Sequence, residues 1–232
     1  MRESEFKELL GLFFKPHPWH GISPGSEAPA QVQAYIELVP TDTVKYEIDK
    51  PSGHLKLDRP QKFSSVCPAP YGFIPRTYCG ERVGAYCGEK TSKNNIRGDG
   101  DPMDILVLSE KAITHGDLLV QAVPIGGIRM LDRDEADDKI ISVMVGDALY
   151  GHMTDVTHLP EGLVDRLVHY FLSYKDLPSQ YKPRKVDIAG VYNRAEALKV
   201  ISLSMEDYVD HFRDPVGRME KLLLHLSKEV RA

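Results

Sequence analysis

The chain has 232 residues, of which 42% are hydrophobic and 27% charged, with a formal net charge of −5. This composition predicts a soluble globular protein, most simply one domain over residues 1–232, and no apolar run reaches the roughly 20 residues that span a bilayer. The negative charge argues against general nucleic-acid affinity, so a polyanionic ligand would need a local basic patch or a bound metal.

Residues 1–30 predict an irregular N-terminal arm. Charges are scattered through residues 1–10, unlike the basic-then-apolar order of a secretory signal, so a cytoplasmic protein is expected. Three cysteines in no metal-binding pattern favour free thiols. Trp19, within a Pro- and Gly-rich stretch, is expected to pin the arm to the body, and the histidines beside it lack ligand spacing.

Alternating residues predict strands at 35–39, 44–48 and 55–59, the last two joined as a hairpin. Lys45 and Glu47 should share a face. With the loop centred near Pro51, Lys45 stands opposite Leu57 and Arg59 is its diagonal neighbour. This face either binds an anion or is simply solvated. Residues 77–97 lack a convincing period and predict a surface loop or insertion.

Three carboxylates, Asp99, Asp101 and Asp104, lie in a Gly- and Pro-containing turn before the apolar run 105–108. Two carboxylates about 4 Å apart repel by roughly 4 kcal/mol near a protein surface. Oxygen ligands without nearby cysteine or histidine suit Mg²⁺, Mn²⁺ or Ca²⁺. The turn therefore indicates a divalent-metal site, with a solvated acidic turn as the alternative.

Short strands are predicted at 118–124, 125–131 and 140–145, which suggests a small barrel. A second acidic cluster separates the last two, and in an extended backbone Asp137 and Lys139 point the same way. Helices are predicted at 160–174, 193–212 and 215–230. We interpret the last two, within a C-terminal extension over 193–232, as packing or subunit-interface elements.

The pattern resembles the soluble inorganic pyrophosphatases of the single-domain, magnesium-dependent type. The resemblance runs in consistent order over residues 35–175, and its most specific motif is Asp-Gly-Asp-Pro-Met-Asp at 99–104. The other matching positions are Lys45-Tyr46-Glu47, Arg59, Tyr71-Gly72, Asp132, Asp137, Lys139 and Tyr174-Lys175.

This resemblance implies a five-stranded, OB-like closed β-barrel flanked by α-helices that hydrolyses pyrophosphate to two orthophosphates. It implies that Asp101 is the general base and that Glu37 and Glu47 support the waters bound to the metals. The implied metal ligands are Asp99, Asp104, Asp132 and Asp137. The implied phosphate-binding set is Lys45, Arg59, Tyr71, Lys139, Tyr174 and Lys175. Two or more Mg²⁺ ions are expected, with Mn²⁺ as a substitute, in a homo-oligomer without nucleic-acid or membrane partners. Cys67 departs from the tyrosine that many members carry there.

Two other functions remain open from the residues alone. A two-metal nucleotide hydrolase or nuclease would need base-recognising aromatics and a basic track, which are not evident. A non-enzymic Ca²⁺-binding β-barrel module would explain the acidic clusters but not the cations and tyrosines that accompany them.

Overall fold

The structure is a computed structural model that describes residues 15–175 and 186–213, together with residue 221. These residues form a mixed α+β fold with a large mixed sheet, a separate hairpin and three α-helices. The strands are β1 (Val32–Leu38), β2 (Val44–Ile48), β3 (Leu55–Pro60), β4 (Tyr71–Phe73), β5 (Arg97–Gly98), β6 (Asp104–Leu108), β7 (Leu118–Asp132), β8 (Glu135–Ala136), β9 (Lys139–Met144) and β10 (Val186–Asn193). The helices are α1 (Glu81–Thr91), α2 (Glu161–Ser173) and α3 (Arg194–Phe212), and a 3-10 helix spans Val156–His158.

Five strands close into a ring in the order β1, β4, β6, β9 and β7, with β7 returning to β1. The β6 and β9 pair is parallel and the other four pairs are antiparallel. Closure requires the backbones of β1 and β4 to approach closely at Gly72, where a Cβ atom would lie 1.8 Å from the carbonyl oxygen of Tyr35. Only glycine fits such an approach.

Strand β7 is one continuous strand of 15 residues, so the prediction of two strands at 118–124 and 125–131 is wrong. Its pairing with β9 shifts register between Pro124 and Gly126, which leaves Ile125 as an extra residue. Proline lacks the N–H for a ladder hydrogen bond, and a bulge bends a strand without ending it. The chain therefore turns at this point within one strand and continues around the ring.

The strands of the large sheet outside the ring, β5, β8 and β10, are joined to it through β7. The short strand β8 pairs with its end, β5 pairs with β8, and β10 pairs along Gly126–Asp132. The sequence did not predict β10, because Gly190 and a register shift between Ile188 and Gly190 interrupt its alternating pattern.

The predicted helices at 160–174 and 193–212 are confirmed as α2 and α3. Asn193 caps α3 by accepting a hydrogen bond from the Glu196 backbone N–H at 3.1 Å. Helix α3 buries Val200 and Ile201 against the core, as expected of a packing element. The third predicted helix, at 215–230, lies outside the described residues apart from residue 221.

Residues 77–97 were predicted as a surface loop or an insertion, and the loop is wrong, because this segment contains helix α1. Val83 and Cys87 on α1 join the core. The helix has no side-chain cap of its own. Instead the buried carboxylate of Asp207, on α3, accepts hydrogen bonds from the backbone N–H groups of Gly80, Arg82 and Val83 at 3.0–3.1 Å. A cap supplied from a distant helix leaves no local sequence signature.

The arm and the cysteines agree with the sequence expectations within the described residues. Trp19 is 3% exposed, and its indole N–H donates to the carbonyl oxygen of Thr77 at 2.7 Å. Cys67, Cys79 and Cys87 are buried free thiols. None of the helices in the described ranges has the length and apolar character to cross a membrane.

Candidate active site

A cleft of about 860 Å³ opens between the β2–β3 hairpin and one end of the strand ring. Every residue that the sequence and the resemblance assigned to the site lines this cleft, although these residues come from six separate segments of the chain. They are Glu37, Lys45, Glu47, Arg59, Tyr71, Asp99, Asp101, Asp104, Asp132, Asp137, Lys139, Tyr174 and Lys175. The structure therefore brings together all of the predicted site residues.

The acidic turn between β5 and β6 is fixed by its own backbone. Asp99 accepts a hydrogen bond from the Asp101 N–H at 2.9 Å, and Gly100 has a φ of +76°, a conformation that glycine adopts without strain. The carbonyl oxygen of Asp101 accepts from the Cys79 N–H at 2.8 Å. Met103 is fully buried beneath the turn. The three carboxylates are thus presented by an anchored loop.

Parallel pairing of β6 and β9 places Asp104 opposite Lys139 at the mouth of the ring. The Lys139 ammonium group donates to the carboxylates of both Asp104 and Asp137. Lys139 is 1% exposed and Asp137 9% exposed, so these charges compensate one another almost entirely out of water. Such a group is costly to break, because removal of one partner leaves a buried charge unpaired.

Burial shifts the proton affinities of the acidic residues. It raises the pKa of Asp99 well above its ordinary value, the nearby Asp137 raises it further, and Lys139 lowers it. Burial also raises the pKa of Asp137, against the opposing effect of Lys139. For Glu37, burial raises the pKa to about 8, while a hydrogen bond from the Ile48 N–H at 2.6 Å lowers it. Burial in the cleft therefore disfavours the charged forms of Asp99, Asp137 and Glu37.

The β2–β3 hairpin forms one wall, and its register differs from the prediction. Lys45 pairs directly with Arg59 rather than with Leu57, because the register shifts between Lys45 and Tyr46 and leaves Asp58 as an extra residue. The Lys45 ammonium donates to Glu47 at 2.7 Å and to Asp58 at 3.1 Å. The two cations thus lie side by side instead of diagonally.

The end of helix α2 forms the opposite wall. Lys175 donates to Asp132 at 2.6 Å, which joins this wall to the second acidic cluster. Tyr174 is 7% exposed, and the Arg59 guanidinium lies 5.9 Å from its ring centroid. Burial raises the pKa of Tyr71 well above its usual value, and Asp104 raises it further, so this phenol remains a neutral donor. Anion-binding groups therefore lie beside the carboxylates in the same cleft.

Sequence reasoning missed several residues that line the cleft. Lys50, at the tip of the hairpin, is ion-paired with Asp101. Lys56 stands opposite Glu47 on β3 because of the register shift after Lys45. In the predicted register Leu55 would stand there, and strand alternation would place Lys56 on the other face of the hairpin. Lys62 and Arg133 lie in irregular segments, and Tyr170 lies on α2 one turn before Tyr174. Nothing in the local pattern distinguishes these three from ordinary surface or core residues.

The lining of the cleft has the donor groups that a divalent metal requires. It supplies carboxylates and, among the described residues, neither histidine nor cysteine, which is the donor chemistry of Mg²⁺ rather than of zinc. Within those residues no three carboxylates converge on one point as ready ligands. Lysine ammonium groups bind Asp101, Asp104, Asp132 and Asp137 instead. The fit thus rests on the donor set and on the buried carboxylates Asp99 and Asp137, whose pKa values burial raises.

Comparison with known proteins gives one consistent result. Residues 34–209 match the family model described as inorganic pyrophosphatase. The chain is 52% identical over 199 residues to the inorganic pyrophosphatase of Chlamydia muridarum, covering 84% of this chain and 95% of that protein. It is 35% identical over 196 residues to soluble inorganic pyrophosphatase 2 of Chlamydomonas reinhardtii, covering 84% and 90%. The crystal structure of the Thermus thermophilus inorganic pyrophosphatase matches with a TM-score of 0.68 and 30% identity, covering 84% of this chain and 99% of that one.

Proposed function

We propose a role for each cleft residue in the reaction of this chain, which belongs to the inorganic pyrophosphatase family and hydrolyses inorganic pyrophosphate. One observation carries the proposal: carboxylates, cations and tyrosines from six segments line the same cleft. A solvated acidic turn would not require a second acidic cluster, lysines paired with both clusters, and Tyr71 and Tyr174 at the same place.

In this proposal the cations bind the substrate. Pyrophosphate carries several negative charges near neutrality, and its charged oxygens shield the phosphorus atoms from an attacking oxygen. The planar Arg59 guanidinium suits two phosphate oxygens at once, while Lys45, Lys139 and Lys175 act as point charges. Tyr71 and Tyr174 donate neutral hydrogen bonds. Because Arg59 and Lys45 are adjacent across the hairpin, they are suited to the same phosphate group.

Asp99, Asp104, Asp132 and Asp137 are assigned to two or more Mg²⁺ ions, for which Mn²⁺ is a substitute of the same ligand chemistry. When bound, such ions neutralise phosphate oxygens and lower the pKa of water toward neutrality. The raised pKa values of Asp99 and Asp137 support this assignment, because added positive charge would relieve the repulsion among these buried carboxylates. Glu37 and Glu47 are assigned to accepting hydrogen bonds from the surrounding water.

Asp101 is assigned as the general base that takes the proton from the attacking water. Its side chain is more exposed than those of Asp104 and Asp137, and its partner is the Lys50 ammonium at the hairpin tip. The proton leaves the water as its oxygen bonds to phosphorus, and the bridging oxygen departs with the second phosphate. No covalent intermediate with a side chain is needed.

We also propose that the ring is an OB-like barrel, that residues 1–232 form one pyrophosphatase domain, and that the protein is a cytoplasmic homo-oligomer. The closed order of five strands and the family match over 34–209 support the first two. Buried free thiols favour a reducing compartment. Exposed Leu119 and Leu149 are available for contacts between subunits. Light scattering coupled to size exclusion measures the number of subunits.

One assay tests the reaction and its alternatives together. Phosphate release is measured from magnesium pyrophosphate, from a nucleoside triphosphate and from single-stranded nucleic acid, with Ca²⁺ replacing Mg²⁺ in parallel samples. We expect release from pyrophosphate with Mg²⁺ and little from the other substrates. Preferred release from the nucleotide would favour a nucleotide hydrolase, and Ca²⁺ binding without any release would favour a binding module.

A further inference from the structure

A buried ion pair involves a residue of the second acidic cluster, residues 132–139, but lies outside the cleft. Asp138 stands between two cleft residues, Asp137 and Lys139, yet it does not line the cleft itself. Its carboxylate accepts a hydrogen bond from Arg129 of β7 at 3.2 Å. Arg129 and Asp138 are 5% and 2% exposed. Neither the proposed chemistry nor the sequence motifs account for this pair.

Three elements from distant parts of the chain hold the pair in place. The Arg129 guanidinium lies between two aromatic rings, 5.3 Å from the centroid of Tyr86 on α1 and 4.8 Å from that of Tyr192 on β10. It also donates to Glu196 on α3 at 2.6 Å. The Tyr192 hydroxyl donates to Asp138 at 3.1 Å. Asp138 is thus tied to α1, α3, β7 and β10 together.

Stability alone does not explain such an arrangement. A buried ion pair is often no more stable than well-packed hydrophobic residues of similar volume, because both ions lose their hydration. Here Arg129 Nε and Asp138 Oδ1 are buried and have no hydrogen-bond partner within the described structure, which adds to the cost. What the pair provides is a fixed backbone position, since a directional hydrogen bond constrains the segment that carries it.

We propose that Arg129 and Asp138 are positioning residues for the cleft. Successive side chains point to opposite sides of an extended backbone. Because Arg129 holds the Asp138 side chain on the side away from the cleft, the neighbouring side chains of Asp137 and Lys139 point to the other side, where they line the cleft. The inference rests on the proposed function, because Asp137 is a proposed metal ligand and Lys139 a proposed phosphate ligand. Residues that orient metal ligands typically change metal affinity or activity by about 10- to 100-fold when replaced.

The test compares Asp138→Asn, which keeps the shape and removes the charge, with Asp134→Asn in the same acidic cluster, where the side chain is exposed. Mg²⁺ affinity is measured by calorimetry without substrate, and kcat is measured at saturating Mg²⁺ and pyrophosphate. We expect Asp138→Asn to lose about tenfold or more in both quantities, and Asp134→Asn to stay within about twofold. A folded Asp138→Asn protein with both values near wild type overturns the proposal.

Arg129→Lys and Arg129→Met provide a second test if Asp138→Asn does not fold. Lysine keeps the charge and methionine removes it, so Mg²⁺ affinity should follow the order wild type, Lys, Met. Equal affinities in folded variants refute the positioning role. If the wild-type protein neither binds Mg²⁺ nor releases phosphate, both the proposed function and the positioning role are refuted. If the wild-type protein is active and the variants are unaffected, only the positioning role is refuted.

Discussion

Asp104 and Lys139 stand opposite each other across the parallel β6–β9 pair and are joined by an ion pair. The same ammonium group binds Asp137, two residues earlier in the chain. One lysine thus balances two carboxylates that belong to the two acidic clusters of the sequence. These ion pairs therefore join the two acidic clusters without a metal ion.

We expect Lys139→Met to destabilise the metal-free protein by about 3 kcal/mol, because it leaves two largely buried carboxylates without their cation. Urea unfolding measures the loss. Mg²⁺ should recover part of it by supplying positive charge to the same carboxylates. The matched control is Lys175→Met, whose side chain is 33% exposed and pairs with Asp132. That change should cost about 1 kcal/mol or less, and equal losses in the two variants would contradict this account.

Asp101→Asn should lower kcat by a factor of about 10² to 10⁴, the range expected when a general base is lost. The variant also breaks the pair with Lys50, so Lys50→Met is the control that breaks the pair and keeps the base. Its kcat should fall far less. Near-normal turnover in Asp101→Asn, or an equal fall in the control, would remove Asp101 from the proposed role.

The stability of the metal-free protein should depend on the protonation of Glu37. Burial raises its folded pKa to about 8, against an ordinary value near 4.5. Between these values the folded state keeps a proton that the unfolded state has lost, so the free energy of unfolding decreases as the pH rises from about 5 to 8. Glu37→Gln, which retains an oxygen to accept from Ile48, should show a flatter dependence in urea unfolding. An unchanged slope would show that Glu37 is ionised in the folded protein.

Asp207→Ala should destabilise the protein by roughly 2 kcal/mol or more, because it leaves three backbone N–H groups at the start of α1 without an acceptor. The control is Asp210→Ala, an exposed residue that also pairs with Arg82. It should change the free energy of unfolding by less than about 1 kcal/mol. Thermal or urea unfolding of both variants distinguishes a helix cap from a surface ion pair.

The sequence determined the chemistry of this protein and its regular local elements. The Asp-Gly-Asp-Pro-Met-Asp motif, the hairpin with Lys45 and Arg59, and helices α2 and α3 were all identifiable from residue type and spacing. Such features depend on neighbours a few residues apart, which periodicity and turn residues record directly. The resemblance of the site motif then selected residues that the structure places in one cleft.

Only the tertiary structure decided how these parts meet. The bulge that sets Lys45 against Arg59, the bend within β7 and the parallel β6–β9 pair depend on the register between paired strands, which the pattern within one strand does not specify. Helix α1 depends on Asp207, which lies 124 residues from Val83. Arg129 is near Asp138 in sequence, but the residues that hold the pair, Tyr86, Tyr192 and Glu196, come from distant elements. Local patterns do not encode these partners, because a burial or capping site exists only after distant segments have packed together.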